Sequence, residues 1–205
     1  LINVKDSFTR MRIEKDAEKR QRIEQQQAIV AEQVARKVRR EQVKGDLYGL
    51  FGEPDAHKRG KALEGVLNEL FARHDVLVRQ SFTIKGKCSE GIIEQIDGLI
   101  EIAGHSYLVE VKWWNAPLGV NEVAPHLVRV FGRGGQARGL FVSYTSFTAP
   151  AITECRNALA GGAVIVLATL QEIVALLERD GDLPAWLKRK VDAAVIDKDP
   201  LFTGS

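Results

Sequence analysis

The chain is poor in several things that would narrow its class at once. Of its 205 residues only two are cysteine, Cys88 and Cys155. They are far apart and form no C-x-x-C pair, so neither a disulfide scaffold nor a thiolate zinc site is expected. The reading is free thiols in a reducing, cytoplasmic compartment. No apolar run approaches the roughly 20 residues that cross a bilayer, and no stretch reads as a secretory leader. The chain starts at Leu1 rather than Met, so these readings cover only the sequence as given. The four histidines, His57, His74, His105 and His126, share no metal-site spacing. There is no internal repeat or low-complexity segment. Charge of one sign is also missing: 29 basic against 27 acidic residues give a net +2. That is weak evidence about partners, because an acidic metal site can offset a basic face. What the chain does have is 45% hydrophobic residues, enough for one good-sized core plus an extension.

Between Phe8 and Lys44 there is no Pro or Gly, and Glu, Gln, Lys, Arg and Ala dominate. Those are strong helix formers, and residues 1–46 are read as one long N-terminal helix. Ile13, Ala17, Ile23, Ile29, Val30, Val34 and Val38 make a thin apolar stripe that Arg20, Glu24 and Gln27 interrupt. Three readings stay open: a solvated packing helix, a coiled-coil dimerisation arm, or a phosphate-binding surface at Arg36-Lys37 and Arg39-Arg40. Gly45, Gly49, Gly52, Pro54 and Gly60 then punctuate a break. Residues 47–59 are read as a linker in which Leu47–Phe51 can form an apolar latch, 60–179 as the main domain, and 180–205 as a C-terminal helix and tail.

Within the domain, Ala62, Leu63, Val66, Leu67, Leu70 and Phe71 recur at helical spacing, which predicts an amphipathic helix carrying Glu64 beside its apolar stripe. Val76–Ile84 reads as a strand and Lys85-Gly86-Lys87 as a turn. A hairpin follows, in which Ile96–Ile102 and Tyr107–Lys112 flank Ala103-Gly104-His105-Ser106. Downstream come a helix around Pro125, a buried strand from Gly139, a helix, the apolar strand Ala163–Ala168, and two more helices. The order predicts an α/β fold: a mixed central sheet flanked by helices and preceded by the long helix.

The hairpin carries the chemistry. With its loop centred on Gly104 and His105, Ile102 pairs with Tyr107, Leu99 faces Glu110, and Asp97 faces Lys112. Alternation puts Asp97, Glu110 and Lys112 on one face, with Ile96, Val109 and Val111 on the other. Burying two carboxylates and an ammonium together is costly unless they are paired or hold a metal. Asp97 and Glu110 form a hard-oxygen site suited to Mg²⁺, with Mn²⁺ as a substitute, and the Val111 carbonyl can add a ligand. Lys112 points into the same site, where it can orient a water or stabilise phosphate charge. Glu64 can reach the metal through water. Together these groups suit phosphodiester hydrolysis. Gly132-Arg133-Gly134-Gly135 is no P-loop, since G-K-[ST] is missing.

D-x(12)-E-x-K alone is a loose pattern, and its context narrows it. RGKALEGVLNELF, IDGLI, YLVEVKWW and RGLFVSYTSFTAPAI resemble the PD-(D/E)XK nuclease superfamily, and within it the Mrr-like restriction endonuclease branch, over about Gly60 to Leu177. In that family an Asp and a Glu/Gln-x-Lys lie on neighbouring strands, matching Asp97, Glu110 and Lys112, and an upstream helical Glu matches Glu64. The resemblance implies a restriction-endonuclease-like sheet and metal-dependent DNA cleavage, with DNA as the partner. Cutting both strands of a duplex favours a homodimer, or a module tethered through the N-terminal helix. Expected DNA contacts are Gln95, Lys58, Arg59, Lys61, Trp113 and Arg133, with Arg129 and Arg138 as further phosphate candidates. Trp113 and Trp114 are read either as base-stacking or as core packing, and Glu94 as solvent-facing. Two rival functions stay open: a nuclease-like fold that grips DNA without cutting, and an interaction protein whose working part is the long helix.

Overall fold

A run of helix formers without Gly or Pro makes the first element long. In the computed structural model of the protein, which describes residues 4–85 and 92–204, α1 covers Val4–Gly49. The helix passes through Gly45, where the sequence places a break. Val43 and Leu47, four residues apart on one face of α1, are each 1% exposed in the core. Their burial outweighs the roughly 1 kcal/mol penalty of a helical glycine. The expected linker is therefore largely ordered structure. Leu50 is buried in a short 3₁₀ turn, and the Asp55 carboxylate accepts the His57 and Lys58 N–H groups at the start of α2, Ala56–Arg73. The chain divides into two compact units, Leu1–Gln42 and Val43–Ser205. In the first, Met11, Ile13, Ile23, Ile29, Val30, Val34 and Val38 are all exposed.

The second unit is built on one five-stranded sheet with the order β1-β2-β3-β4-β5. Its strands are β1 (Leu77–Lys85), β2 (Ile92–Ile102), β3 (His105–Lys112), β4 (Ala137–Ser143) and β5 (Ile165–Thr169). The first three are antiparallel; β4 and β5 add in parallel. The remaining helices are α3 (Val120–Phe131), α4 (Ala149–Ala158), α5 (Leu170–Glu178) and α6 (Leu183–Asp192). α3 continues past Pro125. The expected turn at Lys85-Gly86-Lys87 falls on residues 86–91, outside the described residues, as does Cys88. Cys155 is a buried free thiol.

Alternation along β3 and β4 divides the core into two layers. Tyr107, Val109, Val111, Leu140 and Val142 share one cluster with side chains from α2, α5 and α6. Leu108 and Phe141 share the other with side chains from α3 and α4. The C-terminal segment is part of this unit rather than an appendage. Trp186, Leu187 and Val191 of α6 are buried. The Lys190 ammonium is buried against the Glu172 carboxylate and the Phe202 carbonyl.

The hairpin register differs from expectation. Ile102 pairs with His105, and Gly98 with Val109, so the turn is the two residues Ala103-Gly104, with φ of 52° and 75°. Such a tight turn matches the right-handed twist of its strands. The offset is two residues, which preserves the face of every side chain near the loop. Ile96 is the exception: it joins the α3/α4 layer, whereas Val109 and Val111 belong to the other.

Candidate active site

The exception at Ile96 marks where β2 and β3 part. Their last paired residues are Gly98 and Val109. Beyond them the Val111 N–H, which a regular ladder would give to a β2 carbonyl, donates to Asp97 Oδ2 at 2.9 Å. The carboxylate thus stands in for main chain between the two strands. On the α2 side, Asn68 Nδ2 donates to the Asp97 carbonyl at 2.9 Å. This close approach of helix to strand requires a glycine next door: a Cβ at Gly98 would lie 2.6 Å from Asn68 Oδ1. Asp97 is 5% exposed. Burial first, and the Glu110 charge second, push its carboxyl up to about 7, against the opposing pull of the Val111 N–H.

Glu110 is equally buried, and each of its oxygens meets a cation. Oε1 lies 2.7 Å from Lys112 Nζ and Oε2 lies 2.5 Å from an Arg129 guanidinium nitrogen of α3. Arg129 also lies 3.7 Å from Glu94, and Arg133 pairs with Glu94 at 2.9 Å. A chain of alternating charge, Lys112–Glu110–Arg129–Glu94–Arg133, therefore ties β3 and β2 to α3. Glu94, expected in solvent, is instead mostly buried between two arginines. Arg133 and Arg129, expected to be free for phosphates, are engaged inside the molecule. The cause is α3, whose packing on this face brings both arginines onto the carboxylates.

Glu64 enters from the third turn of α2. Its carboxylate pairs with Lys61 at 2.7 Å, and its charge contributes to raising Asp97. Glu64, Lys61 and His57 form one wall of a cleft of about 250 Å³; Gln95, Val111 and Lys112 form the other. Trp113 and Trp114 complete it. Lys58 is exposed on the first turn of α2. Arg59 bonds the Glu53 carbonyl, and its guanidinium lies 5.1 Å from the Trp113 ring centre. Trp113, expected to touch DNA, is only 8% exposed: Tyr144 stacks on it and Phe51 meets it edge-on. Trp114 is the exposed one of the pair, at 50%.

The structure therefore pairs Lys112 with Glu110, sets Glu64 and Lys112 in one cleft with Val111 and Gln95, and places Asp97 where it feels the charges of Glu110, Glu64 and Lys112. It withdraws Arg59, Trp113 and Arg133. Sequence reading missed Asn68, which anchors Asp97. The signal was available: an Asn one turn beyond Glu64, on the apolar stripe of α2 between Leu67 and Leu70. It also missed Arg129 as a partner of Glu110, which no local spacing encodes.

Two buried carboxylates side by side fit a hard divalent cation, whose charge would offset the like-charge repulsion that now raises Asp97. Among the described residues no three His, Cys, Asp or Glu side chains lie close enough to hold an ion alone. Asp97 and Glu110 would accordingly share such an ion with main-chain carbonyl, water or substrate oxygens, as Mg²⁺ commonly requires. His126, on α3 close to Glu110, is fully buried against Phe141 and pushed down to about 4, chiefly by burial, so it is neutral here.

The family model Mrr_cat, described as restriction endonuclease, matches residues 58–177. No curated protein matches the chain. Among solved structures, a crystal structure of the protein of unknown function AF1548 is similar over 51% of this chain and 56% of its own, at 20% identity and a TM-score of 0.40. The structure of an EndoMS–dsDNA complex is similar over 50% of this chain and 41% of its own, at 16% identity and a TM-score of 0.30. The chain thus spans about half the length of the solved structures it matches.

Proposed function

This chain belongs to the Mrr-type restriction endonuclease family, of the PD-(D/E)XK nucleases, and from that premise we propose that it is a Mg²⁺-dependent endonuclease hydrolysing DNA phosphodiester bonds. One observation carries the reading. Two carboxylates, Asp97 and Glu110, are buried together at the parting of two strands, with Lys112 on Glu110 and a cleft beside them. Such a cluster is costly to fold and is expected where charge is used. Asp97 and Glu110 would hold the ion, with the Val111 carbonyl as a further donor, and Mn²⁺ would substitute. The bound cation would supply charge stabilisation of the phosphate and an acidified water.

The chain's own residues would do the rest. Asn68 and the Val111 N–H fix Asp97 in place. Arg129 holds Glu110 Oε2 on the α3 side, which leaves Oε1 and its Lys112 partner nearer the cleft. Lys112, 35% exposed, would orient the attacking water or bind the non-bridging oxygens of the phosphate. Glu64 would hold a water at the opposite wall. Lys58, Lys61 and Gln95, at the mouth, would contact the phosphate backbone.

A plasmid-nicking assay with Mg²⁺ or Mn²⁺ tests this. Asp97→Ala and Lys112→Ala should each lower the rate by about 10²-fold or more, the scale for losing one charge-stabilising group. Equal nicking by all three proteins sinks the reading. Tight DNA binding without nicking would make this a binding module of the same fold. We further propose that the exposed apolar residues of 10–42 pair two copies of the chain. Light scattering should then show a dimer that becomes a monomer when 1–42 is removed.

A further inference from the structure

We propose that Trp114 is a stacking platform for one unpaired nucleobase, so that the substrate is a strand with an unstacked nucleotide at the cleft rather than uniform duplex. The inference rests on the nuclease reading and sharpens its substrate class.

Two adjacent tryptophans follow Lys112 and have opposite fates. Trp113 is 8% exposed and wedged by Tyr144, Phe51 and the Arg59 guanidinium. Trp114 is 50% exposed, and among the described residues no ring or cation stacks on it. The first anchors the chain, and the second is displayed from that rigid base. Leaving half of the largest apolar side chain in water forfeits burial free energy. A stacked base would recover it.

Position selects the occupant. Trp114 shares the cleft with Lys112 and Glu64, so a base lying on its ring would have its own phosphate near the Lys112 ammonium, the partner of Glu110. The cleft, about 250 Å³, is smaller than the roughly 300–1,000 Å³ of ordinary small-molecule pockets. A base stacked on the Trp114 ring must give up its neighbour in a duplex stack, which favours an unpaired base. Charge agrees with a nucleotide. Lys61 lines the cleft and Lys58 is exposed one turn before it on α2, so two ammonium groups are available to a phosphate there.

The test measures binding of the full chain to a fluorescent thymidine oligonucleotide and to a blunt duplex, both in Ca²⁺. Wild type should bind the single strand more tightly. Trp114→Ala should weaken single-strand binding by about 5–150-fold, the range for one base–aromatic stack, and weaken duplex binding less. Trp114→Phe should retain most of the single-strand affinity. Equal weakening on both ligands, or none on the single strand, overturns the inference. Nicking separates the two levels. If Lys112→Ala abolishes nicking while Trp114→Ala keeps the wild-type ratio of affinities, stacking fails and the nuclease stands. If Lys112→Ala nicks normally while Trp114→Ala loses the single-strand preference, the nuclease fails and stacking stands.

Discussion

Asp97 and His126 are both buried, and burial moves them in opposite senses. Asp97 titrates at about 7 in the folded chain against about 3.9 when unfolded. Between those values the native state holds the extra proton, so stability falls as pH rises. His126 titrates at about 4 against about 6.5 unfolded. In that window the unfolded state holds the extra proton, so stability falls as pH drops. The two slopes largely cancel between about pH 4 and 6.5, and each alone is worth about 3–4 kcal/mol across its window. Asp97→Asn keeps an acceptor for the Val111 N–H and removes one slope. We expect this variant, without metal, to melt higher than wild type at pH 8 and to lose stability more steeply on acidification. Melting curves from pH 4 to 8 check it; parallel curves for the two proteins would refute it. The Arg129–Glu110 pair is a second residue-scale case. Arg129→Ala should cost about 1.5–3 kcal/mol, the scale of a hydrogen bond to a charged group. That loss should be much smaller in a Glu110→Gln background, as a double-mutant cycle in urea would report.

The hairpin is the element on which the site depends, and its two ends have different requirements. At the tip, Ala103 has φ of 52°, a left-handed conformation that an L-residue with a Cβ adopts at a penalty of about 1–2 kcal/mol. Ala103→Asn should therefore raise stability by up to about 1 kcal/mol and leave nicking unaltered, as chemical denaturation and the plasmid assay would show. At the open end, Gly98→Ala places a methyl group against Asn68 Oδ1. It should destabilise the protein and also disturb the Asn68–Asp97 hydrogen bond, lowering nicking more than stability loss explains. Measuring the rate well below the melting temperature separates the two effects. The alternation of apolar residues made the hairpin and the shared face of Glu110 and Lys112 legible from sequence. The register was not legible, because a two-residue and a four-residue loop give the same alternation. The parting of the strands at Asp97 was also hidden, since it arises from a side chain replacing a main-chain acceptor.

At the scale of the whole molecule, the break between units lies inside a continuous helix. Val43, Leu47 and Leu50 belong to the core of the second unit, whereas the large apolar side chains described before them are exposed. Removing residues 1–42 should leave the melting temperature of the remainder within a few degrees. Leu47→Ala should cost about 2–5 kcal/mol, as truncating a buried leucine usually does. Thermal denaturation of the two proteins makes the comparison. No described helix is long and apolar enough to cross a membrane. Gly45 and Gly49 drew the sequence boundary several residues too late for the unit and too early for the helix. Glycine signals a backbone preference of about 1 kcal/mol; burial of neighbouring side chains is larger and overrode it.

Local chemistry was enough to specify the long helix, the alternation of strands and helices, and the shared face of Glu110 and Lys112. Each follows from the spacing of residues along a single element or across one short turn. Tertiary packing alone decided that Arg129 would sit on Glu110, that Arg133 would be spent on Glu94, and that Trp114 rather than its neighbour would face solvent. Those outcomes depend on which helix lies over which strand. Such a contact is made between residues far apart in the chain, and the periodicity of neither partner records it.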